Sequence, residues 1–108
     1  MSSKKKTAQD KRAALPRNPD YTKPFQQDWG RLSASGRYNM NALKAAMLLL
    51  IAANGPLPPE YKDHPLKGSF AGYRECHIGG DFLLMYEVVE STNLIKFLRA
   101  GTHAELGL

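Results

Sequence analysis

Tyr73–Ala100 reads YRECHIGGDFLLMYEVVESTNLIKFLRA. Two β-type runs, Tyr73–Ile78 and Phe82–Val89, flank the three-residue turn Gly79-Gly80-Asp81, which is the pattern of a hairpin. Glu90–Asn93 supplies the next turn, and Leu94–Ala100 reads as a third strand. Consecutive strands joined by tight turns form an antiparallel meander. Period-two alternation puts Tyr73, Glu75 and His77 on one face, with Arg74, Cys76 and Ile78 on the other. The thiol of Cys76 is therefore expected to point away from the imidazole of His77, which argues against a Cys–His nucleophile pair.

Upstream of the meander the period changes to that of helices. Thr22–Ser35 reads as a first helix: Thr22 is an N-cap, Pro24 sits in the first turn, and Gly36 stops it. Phe25, Trp29 and Leu32 fall at i, i+4 and i+7 on one face. A second helix is capped by Asn39 or Asn41 and runs to about Ala53, with Leu43, Ala46, Met47, Leu50 and Ile51 as a broad apolar face. Asn54-Gly55-Pro56 is expected to end it, with Gly55 in the left-handed cap. Residues 56–70 hold Pro56, Pro58, Pro59, Pro65 and Gly68 and are expected to form a loop. Such a long loop in a small domain is often functional. Residues 13–18 read as a short strand, confined to a sheet edge by Pro16. Gly101–Leu108 reads as an extension carrying His103. Helices followed by strands imply an α+β fold: a small antiparallel sheet, with a short N-terminal edge strand, packed on two helices.

The chain has 108 residues, enough for one domain with a single core. That excludes a dinucleotide-binding or barrel enzyme. One cysteine excludes a disulfide framework and cysteine-rich zinc modules. The longest wholly apolar run is Ala45–Ala53, too short for a bilayer, which takes about 20 residues. No apolar stretch follows Met1, so the chain is expected to be cytoplasmic, with no membrane partner. Net charge is +5, of which residues 1–12 supply +4 through Lys4, Lys5, Lys6, Lys11 and Arg12 against Asp10. Residues 1–12 are expected to be a basic flexible tail, and 13–108 the domain. A basic tail favours polyanions; if the body binds nucleic acid, the binding must come from a local patch and not from bulk charge.

All three histidines lie in the second half: His64 in the proline-rich loop, His77 near the end of a strand, His103 beyond the last strand. Asp81 sits in the hairpin turn and Arg99 near the end of the third strand. A meander gathers such strand ends. Three imidazoles and a carboxylate suit either a metal or metal-free acid–base work. Metal is disfavoured because no pair of ligands has helix spacing, and none is expected as a cofactor. Imidazole takes and gives protons near neutrality, and guanidinium grips a phosphate. RNA brings its own nucleophile, the 2′-hydroxyl. A base, an acid and an arginine therefore suffice to cut an RNA strand.

Four elements then carry a resemblance: Asp63-His64-Pro65-Leu66, Gly72-Tyr73-Arg74, His77 with Asp81, and Arg99-Ala100-Gly101-Thr102-His103. With Tyr61–Gly68 and Phe97–Leu106 around them, they resemble the YafQ branch of the RelE toxin superfamily. The match is dense over 61–106, looser over 13–55 and absent from the first twelve residues. The resemblance implies a ribosome-dependent mRNA endoribonuclease of a type II toxin–antitoxin system, with a cognate acidic antitoxin, the ribosome and mRNA as partners. It implies His64, His77, Asp81, Arg99 and His103 as the catalytic set. The acid and base fall among His64, Asp81 and His103, with His77 near the scissile group and Arg99 on the phosphate. Lys62, Lys67, Arg74 and Phe82 are expected to bind RNA. Phe82 stands where the family often has Trp, and Gly107 where it tends to have Phe. The alternative is a non-enzymatic toxin on the same scaffold, inhibiting a protein target such as gyrase.

Overall fold

The structure, a computed structural model, describes residues 15–108. The basic segment 1–12, with Ala13 and Ala14, lies outside the described residues. In chain order the elements are β1 (Asn18–Tyr21), α1 (Lys23–Ser35), α2 (Met40–Ala52), β2 (His64–Pro65), β3 (Arg74–Gly79), β4 (Phe82–Val89), β5 (Leu94–Gly101) and α3 (His103–Leu106). They form one five-stranded sheet in the order β1-β5-β4-β3-β2. The fold is α+β, as expected, and β3-β4-β5 is the antiparallel meander.

The two helices start and stop on short-range chemistry. The Thr22 side chain accepts the Phe25 N–H at 3.1 Å and donates its hydroxyl to the Leu98 carbonyl at 2.8 Å, so one residue caps α1 and fixes it to β5. Asn39 caps α2 by accepting from the Ala42 N–H. The left-handed residue that ends α2 is Ala53 (φ 57°), whose N–H returns to the Leu49 carbonyl. Gly55 was expected to take that cap. The helix ends two residues earlier because the cap bond can close there, at a modest steric cost to alanine.

Other expectations need correcting. The edge strand falls at 18–21 rather than 13–18, contains Pro19, and pairs parallel with β5 (Asn18↔Leu94 to Tyr21↔Phe97). The sheet is therefore mixed. Two helices and the strands β2, β3 and β4 intervene between β1 and β5, and a connection that long permits a parallel pair. The chain before β1 is held by other bonds: the Arg17 N–H to the Ile51 carbonyl, and the Asn93 side-chain amide to the Pro16 carbonyl. The 56–70 loop contains two single 3₁₀ turns (Pro59–Tyr61 and Gly68–Phe70) and the short strand β2. The final segment is a helix. Thr102 and Glu105 form a reciprocal capping box, and Leu106 is buried.

The sheet buries both faces unequally. On the helix side Phe25, Leu32, Leu43, Met47 and Leu50 pack on Cys76, Phe82, Leu84, Tyr86, Ile95 and Phe97. At about 1.5–3 kcal/mol for each large apolar side chain buried, this is the main source of stability. The other face has a smaller cluster of Leu83, Met85 and Leu106, bordered by Leu66, Phe70, Tyr73, Leu98 and Leu108. That thin layer, covered by loop and α3 rather than by long helices, leaves room for a polar site.

Candidate active site

The second face of β3 carries Glu75 and His77 as the alternation requires, and β2 adds His64 directly opposite Glu75. His64 Nε2 lies 3.1 Å from Glu75 Oε1. His77 Nε2 is 4.0 Å from the same oxygen, and His103 Nε2 is 3.9 Å from Glu75 Oε2. Ring centroids are 6.2 Å apart for His64–His77 and 5.9 Å for His77–His103. Three imidazoles from three elements thus surround one carboxylate. Glu75 is 3% exposed, and its Oε2 has no hydrogen-bond partner among the described residues. An unpaired buried acceptor is costly, and its retention points to function.

Local bonds set the orientation of each imidazole. His64 Nδ1 is 2.7 Å from the Lys62 carbonyl, which can only accept, so Nδ1 carries a proton. Nε2 then faces Glu75. At 3.1 Å a proton on either atom would let the two bond. Lys62 adopts a left-handed conformation (φ 49°) to aim its carbonyl. Next to it, Asp63 accepts from Arg74 Nη2 at 2.7 Å and Nε at 3.2 Å, and from the Tyr86 hydroxyl. These bonds hold the loop against the sheet and fix the position of His64.

His103, the first residue of α3, donates its backbone N–H to Asp81 at 3.1 Å and its Nδ1 to the same oxygen. Those two bonds, the backbone one first, hold the Asp81 carboxyl below its ordinary range although it is exposed. With Nδ1 committed as a donor, His103 turns Nε2 toward the centre of the cluster. The register shifts between His77 and Gly79, so β3 carries one extra residue at the hairpin end that leads to Asp81.

Arg99 shares a row with Met85 and Glu75 but is held from the side. Asp28 of α1 accepts from Arg99 Nε at 2.6 Å and Nη2 at 3.1 Å, and from the Ala100 N–H at 3.0 Å. Arg31 adds a second cation at 3.1 Å and also bonds Glu105. Asp28 is 5% exposed. Burial pushes its carboxyl up, but the bonds from Arg99, Ala100 and Arg31 outweigh burial and leave it below the ordinary range. Arg99 keeps only Nη1 free of that pairing.

The structure brings together His64, His77, Asp81 and His103, with Arg99 alongside. It places two of the expected RNA-binding residues elsewhere. Arg74 projects to the face of Cys76 and is occupied by Asp63. Phe82 is only 6% exposed, in the helix-side core, because β4 buries that face. Lys62 and Lys67 are exposed beside His64. Cys76 is fully buried on the opposite face, and burial, then the carboxylates Asp63 and Glu75, push its thiol up to about 12. It is not a nucleophile.

Sequence reasoning missed Glu75, Asp63 and Asp28. Period-two alternation puts Glu75 on the face of His77, but its partner across the sheet, His64 of β2, is not readable from that alternation. Asp28 carried a legible signal: it sits three residues after Phe25 and four before Leu32, a charge on the apolar stripe of a helix. Spacing argues against a metal held by the histidines and Asp81, and the group that lies together is a different one: ligand atoms of His64, Glu75 and His77 are within 4.8 Å of one another, a set able to hold a divalent cation.

With the geometry in hand, comparisons place the chain among known proteins. The family model for YafQ, a bacterial toxin of type II toxin–antitoxin systems, matches residues 17–107. The chain is 41% identical over 92 residues to the mRNA interferase toxin YafQ of Escherichia coli K12, covering 85% of this chain and 97% of that protein. Its fold is similar to the crystal structure of the E. coli DinJ–YafQ toxin–antitoxin complex (TM-score 0.75, 41% identity, 85% and 98% coverage). It is also similar to a copper-bound mutant toxin from Helicobacter pylori (TM-score 0.75, 36% identity, 83% and 98% coverage).

Proposed function

The chain belongs to the YafQ family of bacterial type II toxins, and we propose that it cuts mRNA by metal-free acid–base catalysis through the RNA 2′-hydroxyl. The single observation that carries this mechanism is three imidazoles arranged around the buried carboxylate of Glu75, with the only thiol sealed on the far side of the sheet. His103, oriented by Asp81 with Nε2 unprotonated, takes the 2′-hydroxyl proton. The 2′-oxygen attacks phosphorus and the bond to the 5′-oxygen breaks. His64, which shares a proton with Glu75, donates it to the leaving 5′-oxygen. The products are a 2′,3′-cyclic phosphate and a 5′-hydroxyl, and the proton count balances without a metal ion. His77, between the two, faces the scissile group. Arg99, steadied by Asp28, offers Nη1 to the phosphate as negative charge builds.

The site is open, with His64 and His103 substantially exposed. It has little surface with which to grip and bend a flexible strand. This supports a ribosome-dependent reaction in which mRNA arrives already held. Lys62 and Lys67 then meet the backbone beside the cut. An inhibitor of a protein target would need no such proton-transfer set. The partner we expect is a cognate acidic antitoxin, like the DinJ that accompanies the E. coli relative.

Alanine at His64, Asp81 or His103 tests the assignment. Each is expected to lower single-turnover cleavage on mRNA-programmed ribosomes by at least about 100-fold and to relieve growth arrest at equal expression. Full cleavage by all three variants would remove the mechanism.

A further inference from the structure

A cavity of about 340 Å³ lies between the α1–α2 turn and the β3–β4 hairpin, lined by Arg37, Tyr38, Ile78, Asp81, Phe82 and Thr102 among others. That volume is at the small end of ligand sites, about 300–1,000 Å³. One wall is Asp81, the carboxylate that orients His103. The cavity therefore meets the histidine cluster at Asp81, at the end of the hairpin. The half-buried ring of Tyr38 packs on Phe82 at 5.0 Å between centroids, tilted by 56°. The exposed Arg37 guanidinium lies over the Tyr38 ring, 5.9 Å from its centroid. Neither residue takes part in the proton transfers.

We infer that this cavity is a nucleobase subsite, in which a base flanking the scissile phosphate stacks on Tyr38 while Arg37 holds the adjoining phosphate. The inference rests on the proposed mRNA cleavage and adds where the substrate is read. Single-stranded RNA is bound by stacking its bases on aromatic rings and guanidinium planes. A cation over a ring is a weak, solvent-facing contact that a flat base replaces, and the displaced guanidinium is then free for the phosphate. The lining suits a base better than a bare anion. Ile78 and Phe82 are apolar, Thr102 offers hydrogen bonds to a base edge, and Asp81 repels an isolated anion. Phe82, the aromatic expected from sequence to stack, is covered. Tyr38 covers it and presents the accessible ring in its place.

Two substitutions separate stacking from packing. Tyr38→Leu keeps an apolar cover on Phe82 but removes the ring; Tyr38→Trp keeps a ring. On ribosomes programmed with mRNAs that differ only at the base flanking the cut, Tyr38→Leu is expected to raise KM about tenfold. It is also expected to flatten the preference for that base, with the saturating single-turnover rate within about threefold. Tyr38→Trp retains preference. Arg37→Gln raises KM and lowers its salt dependence while sparing preference. A second arm measures binding of an uncleavable 2′-O-methyl trinucleotide without ribosomes, where Tyr38→Leu weakens affinity about tenfold and Tyr38→Trp does not. No measurable binding, or equal affinity for wild type and a folded Tyr38→Leu, overturns the subsite even if cleavage stands. A wild-type protein that binds the trinucleotide through Tyr38 but never cuts mRNA overturns the proposed function and leaves the subsite intact.

Discussion

Glu75 is the residue on which the site turns. Its Oε1 faces His64 and His77 and its Oε2 faces His103, all within 4.0 Å. Replacing it with glutamine keeps the shape but supplies an amide that cannot share a proton as a carboxylate does. Glu75→Gln is expected to slow single-turnover cleavage at least about tenfold with little change in melting temperature, because the buried oxygen it replaces was unpartnered. A rate equal to wild type would show the carboxylate to be merely structural. At this scale the sequence was partly legible. His64, His77, Asp81 and His103 are polar residues outside any apolar pattern, and their motifs resembled a known family. The partners of Asp63 and Asp28 are distant in sequence, so a charge on the apolar stripe of α1 is the one local mark of Asp28, and Asp63 has none. Asp28 meets Arg99 across 71 residues, and no spacing rule reaches that far.

Among the elements, α1 has a second role beyond covering the core. Past the end of β1 and the Thr22 bond to Leu98, no strand pairs with the edge of β5 from Arg99 to Gly101. Asp28 takes the unpaired Ala100 N–H there and draws in Arg99 and Arg31. Edge protection and arginine placement thus come from one carboxylate. Asp28→Asn is expected to cost about 2–3 kcal/mol at pH 7 and to raise KM for RNA as Arg99 loosens. The pH dependence follows from the lowered carboxyl. Ionised Asp28 favours the folded state above its unfolded value of 3.8, and that stability is lost as pH falls through the lower folded value. Denaturant melts of wild type and Asp28→Asn should therefore converge below about pH 4. A gap that stays constant down to pH 2 would mean that packing, not charge, sets the difference. The capped helices and the meander could be read from sequence because caps, turns and apolar periods are local. The parallel pairing of β1, the two-residue β2 and the capped turn α3 could not. Each depends on what lies beside it in space, and a two-residue strand leaves no period to detect.

At the level of the whole molecule, charge and chemistry occupy different regions. Residues 1–12 carry +4 of the net +5, whereas the proton-transfer groups all lie between His64 and His103. A block of net positive charge raises encounter rates with a polyanion. Deleting residues 1–12 is expected to weaken ribosome binding at low salt and to leave the saturating single-turnover rate within about threefold. A large fall in that rate would place the tail at the site. The central claim is that the RNA 2′-oxygen is the nucleophile, served by imidazoles around Glu75. The most direct measurement is the chemical identity of the new 3′ end on mRNA cut in the ribosome. A 2′,3′-cyclic phosphate, facing a 5′-hydroxyl on the downstream fragment, is the predicted result. A 3′-hydroxyl facing a 5′-phosphate would mean that water attacked instead, and would contradict the account.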